Sequence, residues 1–487
     1  MSTQRKTPLM GWASWNCFRT DISEEKIRDQ ADMLVKTGLA ECGYTFVNID
    51  DGFFGGRDKN GNLLFHAKRF PNGLRPVADA IHRLGLSAGI YTDAGDNTCA
   101  YYYDNEVEGG FHAGCYQHEE ADLRLQLIDN DFDFIKVDFC GGLRLHLDEE
   151  EQYTKIARII EEIRKETGKS IVYNICRWEF PGEWAVTLAD SWRIGVDIEP
   201  DFASVLYQID KMKAHARFCT PGHCNDADMM QLGTGMSEEE DKTHFAMWCM
   251  LTTPLMIGGD LHKISPRVLS ILKNKDLIAI NQDELCMQAV VTKEFRAADG
   301  CLTQEIWTKE LSSAEGVKTA IAVLNRSAEE ADVLLNLHEA GCGGEILQLR
   351  EVCLGEELAP SASVAVHLPG HGIRIYVAES SERGTYSDVN AHLKAGSHRY
   401  EKLSEAAMQA AAAAGATLVD VRTAEEYATS HLPGAINMPY SEVYLYADEL
   451  LPDKNQPIIA TCRTGKRCTM VKGKLDEMGY KNVSIYY

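Results

Sequence analysis

The chain has 487 residues, which is too long for one ordinary hydrophobic core, so about three domains are expected. Its 45% hydrophobic and 25% charged residues are typical of globular proteins and exclude a largely disordered or collagen-like chain. With 49 Lys and Arg against 73 Asp and Glu, the net charge is −24. This charge disfavours nucleic acid or an anionic membrane surface as the main partner, whereas a neutral small substrate is compatible with it.

The N-terminal segment bears on where the protein resides. Residues 1–15 carry positive charge but lack the apolar stretch of a signal peptide, and no apolar run in the chain is long enough to span a bilayer. We therefore expect a cytoplasmic protein, or one whose leader has been removed. The 15 cysteines are spread along the chain without a Cys-x-x-Cys pair, which favours buried free thiols in a reducing compartment.

Residues 1–285 alternate between two kinds of segment. Apolar, β-branched runs predict strands at Tyr44–Asp50, Ser87–Asp93, Phe132–Asp138, Ile171–Cys176 and Ser191–Gly195. Amphipathic patterns between them predict helices at Glu25–Cys42, Gly73–Leu84, Glu150–Thr167 and Phe202–Ala216. The alternation predicts an α/β fold with a parallel sheet, and a (β/α)8 TIM barrel is preferred. A doubly wound sheet is the alternative, but no Gly-x-Gly-x-x-Gly follows the first strand.

Two smaller domains are predicted after the barrel. Residues 286–378 show short alternating stretches separated by turns, which predicts a small antiparallel β-sandwich that caps the barrel without chemistry of its own. A polar segment, Glu379–Ser387, marks the next boundary. Residues 395–487 then carry an alanine-rich helix and return to β/α alternation, which predicts a third, α/β domain.

Acidic side chains follow several of the predicted barrel strands. Asp50 and Asp51 end one strand, and Asp93 ends the next. Asp138 ends a third strand, and Asp197 follows a fourth. The carboxyl ends of barrel strands face the substrate, so these side chains are expected to share one polar crater. Because so many buried carboxylates are costly unless they are paired or used, we interpret the crater as an active site.

Cleavage of a glycosidic bond requires one protonated and one ionised carboxyl group beside the anomeric carbon, about 5 to 5.5 Å apart in a retaining enzyme. Asp138 lies two residues after Lys136, whose charge is expected to lower the pKa of Asp138 and keep it ionised as a nucleophile. Asp197, close to Arg193 in sequence, is the candidate acid/base. Carboxylates also hold Mg²⁺ or Mn²⁺, so metal catalysis is the competing interpretation.

A second cluster, His112, Cys115 and His118, has a spacing that would bring three soft ligands together on a helix. Glycines at positions 109, 110 and 114 favour a loop at this place. We therefore predict a surface or pocket-rim loop here and no metal site.

Seven motifs follow one another along the barrel segment: Met10–Asn16, Asn48–Gly52, Gly89–Asp93, Lys136–Asp138, Asn225–Met229, Asp260–Pro266 and Ile280–Asp283. Together they resemble glycoside hydrolase family 27, the α-galactosidases. The resemblance covers about residues 7 to 285 and implies a (β/α)8 barrel followed by a β-sandwich. It implies a retaining hydrolysis of terminal α-D-galactosyl residues that uses no metal and no cofactor.

The resemblance also implies a role for each matching residue. Asp138 is the expected nucleophile and Asp197 the expected acid/base, and Asp50 and Asp51 are expected to bind the 4- and 6-hydroxyl groups of the sugar. The other expected substrate-binding residues are Trp15, Tyr91, Lys136, Cys176, Arg177, Trp178, Arg193 and Asp228. The presence of both Asp50 and Asp51 favours a hexose with an axial 4-hydroxyl over a pentose.

Arg177 departs from the family pattern, in which Glu follows the cysteine of the fifth strand in α-galactosidases and Ser follows it in N-acetylgalactosaminidases. It is expected either near the sugar 2-substituent or the leaving group, or in an ion pair with a pocket Asp. The activities of α-N-acetylgalactosaminidase and β-L-arabinopyranosidase therefore stay as alternatives. The resemblance also aligns Cys99 and Cys140 with a family disulfide, which is left open because a cytoplasmic protein can keep both as thiols.

The C-terminal motifs Leu418–Tyr427, His431–Pro439 and Cys462–Arg467 resemble a rhodanese domain. A thiol between a strand and a helix N-terminus, beside three cations, is favoured as thiolate, and the resemblance implies that Cys462 carries sulfane sulfur. Phosphatase chemistry is disfavoured because its loop is one residue longer. A docking or redox-sensing module without turnover is an alternative, because the sequence stops short of the Gly-rich strand end of this family.

The second functional alternative is a sulfur-carrier protein whose barrel only binds a sugar. The expected partner is a small-molecule sugar, with no nucleic acid and no membrane, and a homo-oligomer is compatible with the sequence.

Overall fold

The structure is a computed structural model that describes residues 6–298, 300–314, 316–393, 402–440, 443–463 and 465–487. Its largest unit is a parallel sheet of eight strands in which neighbours in the sheet are neighbours along the chain. The strands are β1 Met10–Ala13, β2 Phe46–Asn48, β3 Ser87–Asp93, β4 Phe134–Asp138, β5 Val172–Ile175, β6 Ser191–Arg193, β7 Cys224–Asp226 and β8 Leu255–Ile257. β8 pairs with β1, and a parallel bridge between Met230 and Ile257 joins the segment after β7 to β8. The predicted (β/α)8 barrel is confirmed.

Helices cover the outside of the barrel. They are α1 Glu24–Lys36, α2 Arg75–Arg83, α3 Glu119–Arg124, α4 Glu149–Thr167, α5 Phe202–Lys213, α6 Glu238–Met250, α7 Pro266–Leu272 and α8 Lys275–Asn281. Side-chain caps fix their starts: Ser23 accepts from a backbone N–H of α1, and Asp148 does the same for α4. α1 ends before the predicted Cys42, because the chain turns at Gly38, whose φ of +73° suits glycine.

Loops at the carboxyl ends of the strands contain short helical turns at Trp15–Phe18, Cys99–Tyr103, Val107–Gly110 and Cys140–Leu145. A small hairpin, Phe54–Arg57 with Leu63–Phe65, follows β2. Strands β1, β7 and β8 are absent from the sequence-based prediction because each has only three or four residues, too few to show a pattern.

The second unit is the predicted antiparallel sandwich. Its strands are β9 Val290–Arg296, β10 Leu302–Leu311, β11 Val317–Asn325, β12 Ala331–Asn336, β13 Cys342–Glu351, β14 Glu356–Leu358, β15 Ser363–Leu368 and β16 Ile373–Arg383. Six of them form one sheet in the order β9-β10-β11-β16-β13-β14, and β12 pairs with β15. One face of the larger sheet buries Trp307, Ala320 and Ile375 in the same hydrophobic cluster as the barrel core. The sandwich is therefore packed directly onto the barrel.

The third unit is an α/β domain with its own hydrophobic core. Its parallel sheet has the order β18-β17-β19-β20, formed by β17 Thr417–Asp420, β18 Ile436–Asn437, β19 Ile458–Thr461 and β20 Val483–Tyr486. Its helices are α9 Glu405–Ala413, α10 Ala424–Thr429, α11 Val443–Leu450 and α12 Lys466–Glu477. α12 packs against α5 of the barrel. Within the described ranges, no helix combines the length and the apolar character needed to cross a bilayer.

Candidate active site

A chamber of about 520 Å³ opens at the carboxyl ends of the barrel strands. Its lining brings together ten of the predicted site residues: Trp15, Asp50, Asp51, Lys136, Asp138, Arg177, Trp178, Arg193, Asp197 and Asp228. Tyr91 and Cys176 are buried behind this lining. The Lys136 ammonium lies 5.4 Å from the centre of the Tyr91 ring, and Cys176 Sγ lies 3.7 Å from Arg193 Nη1. Cys462 lies outside the lining, in the C-terminal domain.

Asp138, the last residue of β4, is buried beside two different neighbours. Its Oδ2 lies 3.2 Å from Cys99 Sγ, and its Oδ1 lies 3.8 Å from Lys136 Nζ. Oδ1 is itself buried and accepts no hydrogen bond from any part of the chain that the structure describes, so Lys136 is the cation that faces this oxygen. Burial raises the pKa of Asp138 to about 6, although Lys136 acts to lower it. The prediction of a lowered pKa is therefore wrong in its net direction, because desolvation outweighs the cation.

Asp50 and Asp51, just after β2, have different surroundings. Lys136 Nζ donates to Asp50 Oδ2 at 2.8 Å, and Ser14 Oγ accepts from the Asp50 N–H at 2.9 Å. Asp51 Oδ2 accepts from the Ala100 N–H at 2.9 Å, and burial raises the pKa of Asp51 to about 7. The pair thus presents one charge-paired carboxylate and one that takes up a proton near neutral pH.

Arg193, the last residue of β6, joins two further carboxylates. Its Nη2 lies 2.8 Å from Asp228 Oδ2 and 3.4 Å from Asp197 Oδ1. Asp228 Oδ2 also accepts from the Ile198 N–H at 2.9 Å, which ties Asp228 to the loop that carries Asp197. Asp197 is more exposed than Asp228, with 19% of its side chain accessible against 4%. Asp197 is therefore the carboxyl group of this pair that water can reach.

The wall beside Asp138 is held by a disulfide between Cys99 and Cys140, which answers the question that the sequence left open. Asp93, at the end of β3, accepts from the N–H groups of Cys140 and Gly141 at 2.7 and 3.0 Å. Tyr91 accepts from the Cys99 N–H at 3.3 Å. Tyr91 therefore acts behind the wall, by positioning the Cys99 segment.

Arg177 forms ion pairs, but with glutamates instead of the expected aspartate. Its side chain lies 2.9 Å from Glu149 and 3.1 Å from Glu179, and it is almost fully buried. The guanidinium carbon lies 5.7 Å from the centre of the Trp178 ring. This cluster forms one side of the chamber, and in it one cation faces two carboxylates.

Several lining residues escaped the sequence analysis, among them Arg19, Asp104 and Arg144. Arg19 lies over the Trp15 ring at 4.2 Å and pairs with Asp104 at 2.6 Å, at a sequence separation of 85 residues. Arg144 lies 5.3 Å from the centre of the Tyr102 ring. No local motif signals these residues, because each one reaches the chamber through a loop contact that is remote in sequence.

The segment with His112, Cys115 and His118 forms turns instead of a helix, as predicted. Cys115 is buried, whereas the exposed ring of His112 hydrogen-bonds Asp96 at 2.7 Å.

Cys462 lies between β19 and α12, as the motif predicts. Its Sγ accepts from the Gly465 N–H at 3.1 Å. Arg467, one of the cations expected to favour the thiolate, is engaged in a bidentate pair with Glu426. The thiol site is therefore already formed in the structure, and one of its cations, Arg467, is shared with Glu426.

A (β/α)8 barrel whose strand ends present one buried carboxylate and a second, accessible carboxylate in one chamber has the architecture of a glycoside hydrolase. Residues 7–283 match the family described as Alpha galactosidase A, and residues 402–487 match the Rhodanese-like domain. The chain thus belongs to the α-galactosidase A family and carries a rhodanese-like domain in addition.

Individual relatives agree with this assignment. The chain is 34% identical to an α-galactosidase of Oryza sativa subsp. japonica over 377 residues, which cover 76% of this chain and 84% of the relative. It is also 34% identical to α-galactosidase A of Cellvibrio japonicus, over 76% of this chain and 91% of that protein. The crystal structure of α-galactosidase I from Mortierella vinacea matches with a TM-score of 0.69 and 26% identity, over 79% of this chain and all of the other.

Proposed function

We propose that the protein is a retaining exo-glycosidase that hydrolyses terminal α-D-galactosyl residues of oligosaccharides or glycoconjugates. The observation that carries the proposal is that the buried Asp138 and the more accessible Asp197 line the same chamber. We further propose a division into a catalytic barrel (1–285), a β-sandwich (286–378) and a rhodanese-like domain (395–487). The substrate is a small sugar, and cytoplasmic location and assembly into a homo-oligomer stay predictions.

The reaction proceeds in two displacements. In the first, Asp138 attacks the anomeric carbon while protonated Asp197 donates its proton to the departing oxygen, which leaves a galactosyl ester on Asp138. In the second, Asp197 removes a proton from water, and this water attacks the same carbon and frees Asp138. Because Asp138 must be ionised and its pKa is raised to about 6, kcat/KM is expected to fall as the pH drops through about 6.

The remaining carboxylates are proposed to recognise the sugar hydroxyl groups. Asp50 accepts a hydrogen bond from Lys136 and suits a hydroxyl that donates to its oxygens. Asp51, whose pKa is raised to about 7, can also donate to a hydroxyl oxygen when it is protonated. The Trp15 ring offers an apolar wall. These features support a hexose over a pentose, and galactose and both alternative sugars belong in the same test.

The proposal is tested with Asp138→Asn, which keeps the side-chain shape and removes the nucleophilic charge. We expect a loss of at least about 10³-fold in kcat for an aryl α-galactoside. Asp129→Asn, the same change at an exposed position outside the chamber, is the matched control. Asp138→Asn retaining activity within tenfold of the wild type, or a product of inverted configuration by NMR, would overturn the mechanism. Aryl α-N-acetylgalactosaminide and β-L-arabinopyranoside complete the substrate panel.

A second candidate function is sulfur transfer at Cys462. It is favoured by the hydrogen bond that Cys462 Sγ accepts from the Gly465 N–H. The thiolate takes sulfane sulfur from thiosulfate as a persulfide, releases sulfite, and passes the sulfur to cyanide as thiocyanate. Cys462→Ser is expected to abolish thiocyanate formation without changing galactoside hydrolysis. Equal loss of both activities would contradict two independent chemistries.

A further inference from the structure

The C-terminal domain forms part of the wall of the galactosidase chamber. Five of its residues line the same cavity as Asp138 and Asp197, namely Lys402, Gly465, Thr469, Ile485 and Tyr487. They come from the start of the domain, from the Cys462 loop and α12, and from β20 and the residue after it. The wall is therefore built from several separate segments of the domain.

Direct contacts hold the domain at this position. The Tyr440 hydroxyl donates to Asp201 Oδ2 at 2.8 Å, just before α5 of the barrel. The Tyr440 ring packs into an apolar cluster with Val196, Tyr207 and Trp178, all from barrel loops or α5. α12 lies against α5, with Gly473 beside the Tyr207 ring. The docking surface thus adjoins the loop that carries Asp197.

The wall has a defined chemistry. The Lys402 ammonium lies 4.3 Å from the centre of the Tyr487 ring, and the same ring packs against Gly465. The pair offers an exposed aromatic ring and a cationic donor, which suit the C–H face and the hydroxyl groups of a second sugar. On the barrel side, Arg144 and Tyr103 also line the chamber, and Arg144 contributes further hydrogen-bond donors.

We propose that the C-terminal domain forms the leaving-group subsite of the galactosidase and restricts its substrates to galactosides of one or two further sugar units. The inference rests on the proposed function. A cavity of about 520 Å³ falls within the ~300–1,000 Å³ that holds drug-sized ligands, so it accommodates galactose and a short leaving group. A polysaccharide that carries galactosyl branches has to run past the mouth, where α12 and β20 stand in its path.

The test uses the full chain and three substrates: α-galactosyl fluoride, whose leaving group is one atom, melibiose, and a galactomannan polymer. For the wild type we expect a kcat/KM for galactomannan, per galactosyl branch, at least tenfold below that for melibiose. For Tyr487→Ala we expect the melibiose-to-fluoride ratio of kcat/KM to fall about tenfold and the galactomannan-to-melibiose ratio to rise about tenfold. Tyr446→Ala, an exposed tyrosine in the same domain outside the chamber, is the matched control.

Each outcome decides one question. Absence of fluoride hydrolysis by the wild type would defeat the proposed function itself. A different result would defeat the subsite alone. In that case the wild type hydrolyses the fluoride, but the melibiose-to-fluoride and galactomannan-to-melibiose ratios stay within twofold of the wild type in Tyr487→Ala and in the Tyr487→Ala/Lys402→Ala double variant. Should the alanine variants fail to fold, Thr469→Tyr narrows the chamber and removes only the hydrogen bond from the Thr469 hydroxyl to the Gly465 carbonyl, and its melibiose-to-fluoride ratio must fall as well. An unchanged ratio there also overturns the proposal.

Discussion

Two buried charge networks lie on the barrel, and they differ in balance. At the C-terminal end of α5, where the sandwich packs, Arg326 contacts Asp210 at 2.6 Å and Glu305 at 3.0 Å. Lys213 contacts the same two carboxylates at 2.7 and 2.6 Å. Two cations thus face two anions, and the pKa of Asp210 is lowered because both cations stabilise its charge.

The strand-end cluster inside the chamber has a different composition. There two cations, Lys136 and Arg193, lie among five carboxylates, which are Asp50, Asp51, Asp138, Asp197 and Asp228. The pKa of Asp138 and that of Asp51 are raised, because burial there is not matched by positive charge. The comparison shows that buried charged residues contribute to stability where their charges balance. Where carboxylates outnumber cations, some carboxyl groups exchange protons near neutral pH.

The two networks also differ in what surrounds them. Among the described residues of the sandwich, none lines the chamber, whereas the C-terminal domain supplies five lining residues. The sandwich therefore contributes to the stability of the fold, whereas the C-terminal domain contributes residues to the chamber.

Arg326→Met should produce the largest change, because it leaves Asp210 and Glu305 buried with one cation between them. We expect a loss of about 3–5 kcal/mol in the free energy of unfolding, measured by urea titration followed by circular dichroism. Arg383→Met is the matched control, since Arg383 pairs with Glu310 at the exposed surface of the same sandwich. A loss below about 1 kcal/mol would mean that the network contributes little to stability.

Asp138→Asn should change stability in the opposite direction. The raised pKa means that the folded state holds this proton more tightly than the unfolded chain between pH 3.8 and about 6, so wild-type stability decreases as the pH rises through that window. Removing the charge should raise the free energy of unfolding at pH 8 by about 2 kcal/mol. The gain should vanish near pH 4, and a gain that is equal at both pH values would point to packing instead of charge.

The sequence was sufficient for features that depend on local pattern. The strand-end aspartates were predicted because each follows a buried apolar run, and parallel strands bring such ends together. The net pKa shift of Asp138 was not predictable, because it depends on how completely the folded chain excludes water. The pairs Arg19–Asp104 and Arg177–Glu149 and the wall around Tyr487 join segments that are remote in sequence, and a single sequence carries no signal for such contacts.

Tyr440→Ala should give the smallest of these effects, and it tests whether the docked domain influences the chemistry. Tyr440 packs against Val196, next to the proposed acid/base Asp197, and hydrogen-bonds Asp201. Its removal should loosen this loop and weaken proton donation to the departing oxygen. Phenyl α-galactoside needs that proton, whereas 2,4-dinitrophenyl α-galactoside, of similar shape, leaves readily without it. We expect the phenyl-to-dinitrophenyl ratio of kcat/KM to fall about three- to tenfold.

The controls separate positioning from general damage. Tyr440→Phe keeps the ring packing and loses only the hydrogen bond, so it should restore most of the ratio. Arg326→Met perturbs the other end of α5. The phenyl-to-dinitrophenyl ratio of kcat/KM, measured on the folded fraction of this variant, should be unchanged, because no residue of that network contacts the Asp197 loop. If Tyr440→Ala lowers kcat/KM equally for both aryl substrates, the Tyr440 contact contributes to stability alone. Both ends of α5 would then serve to stabilise the fold.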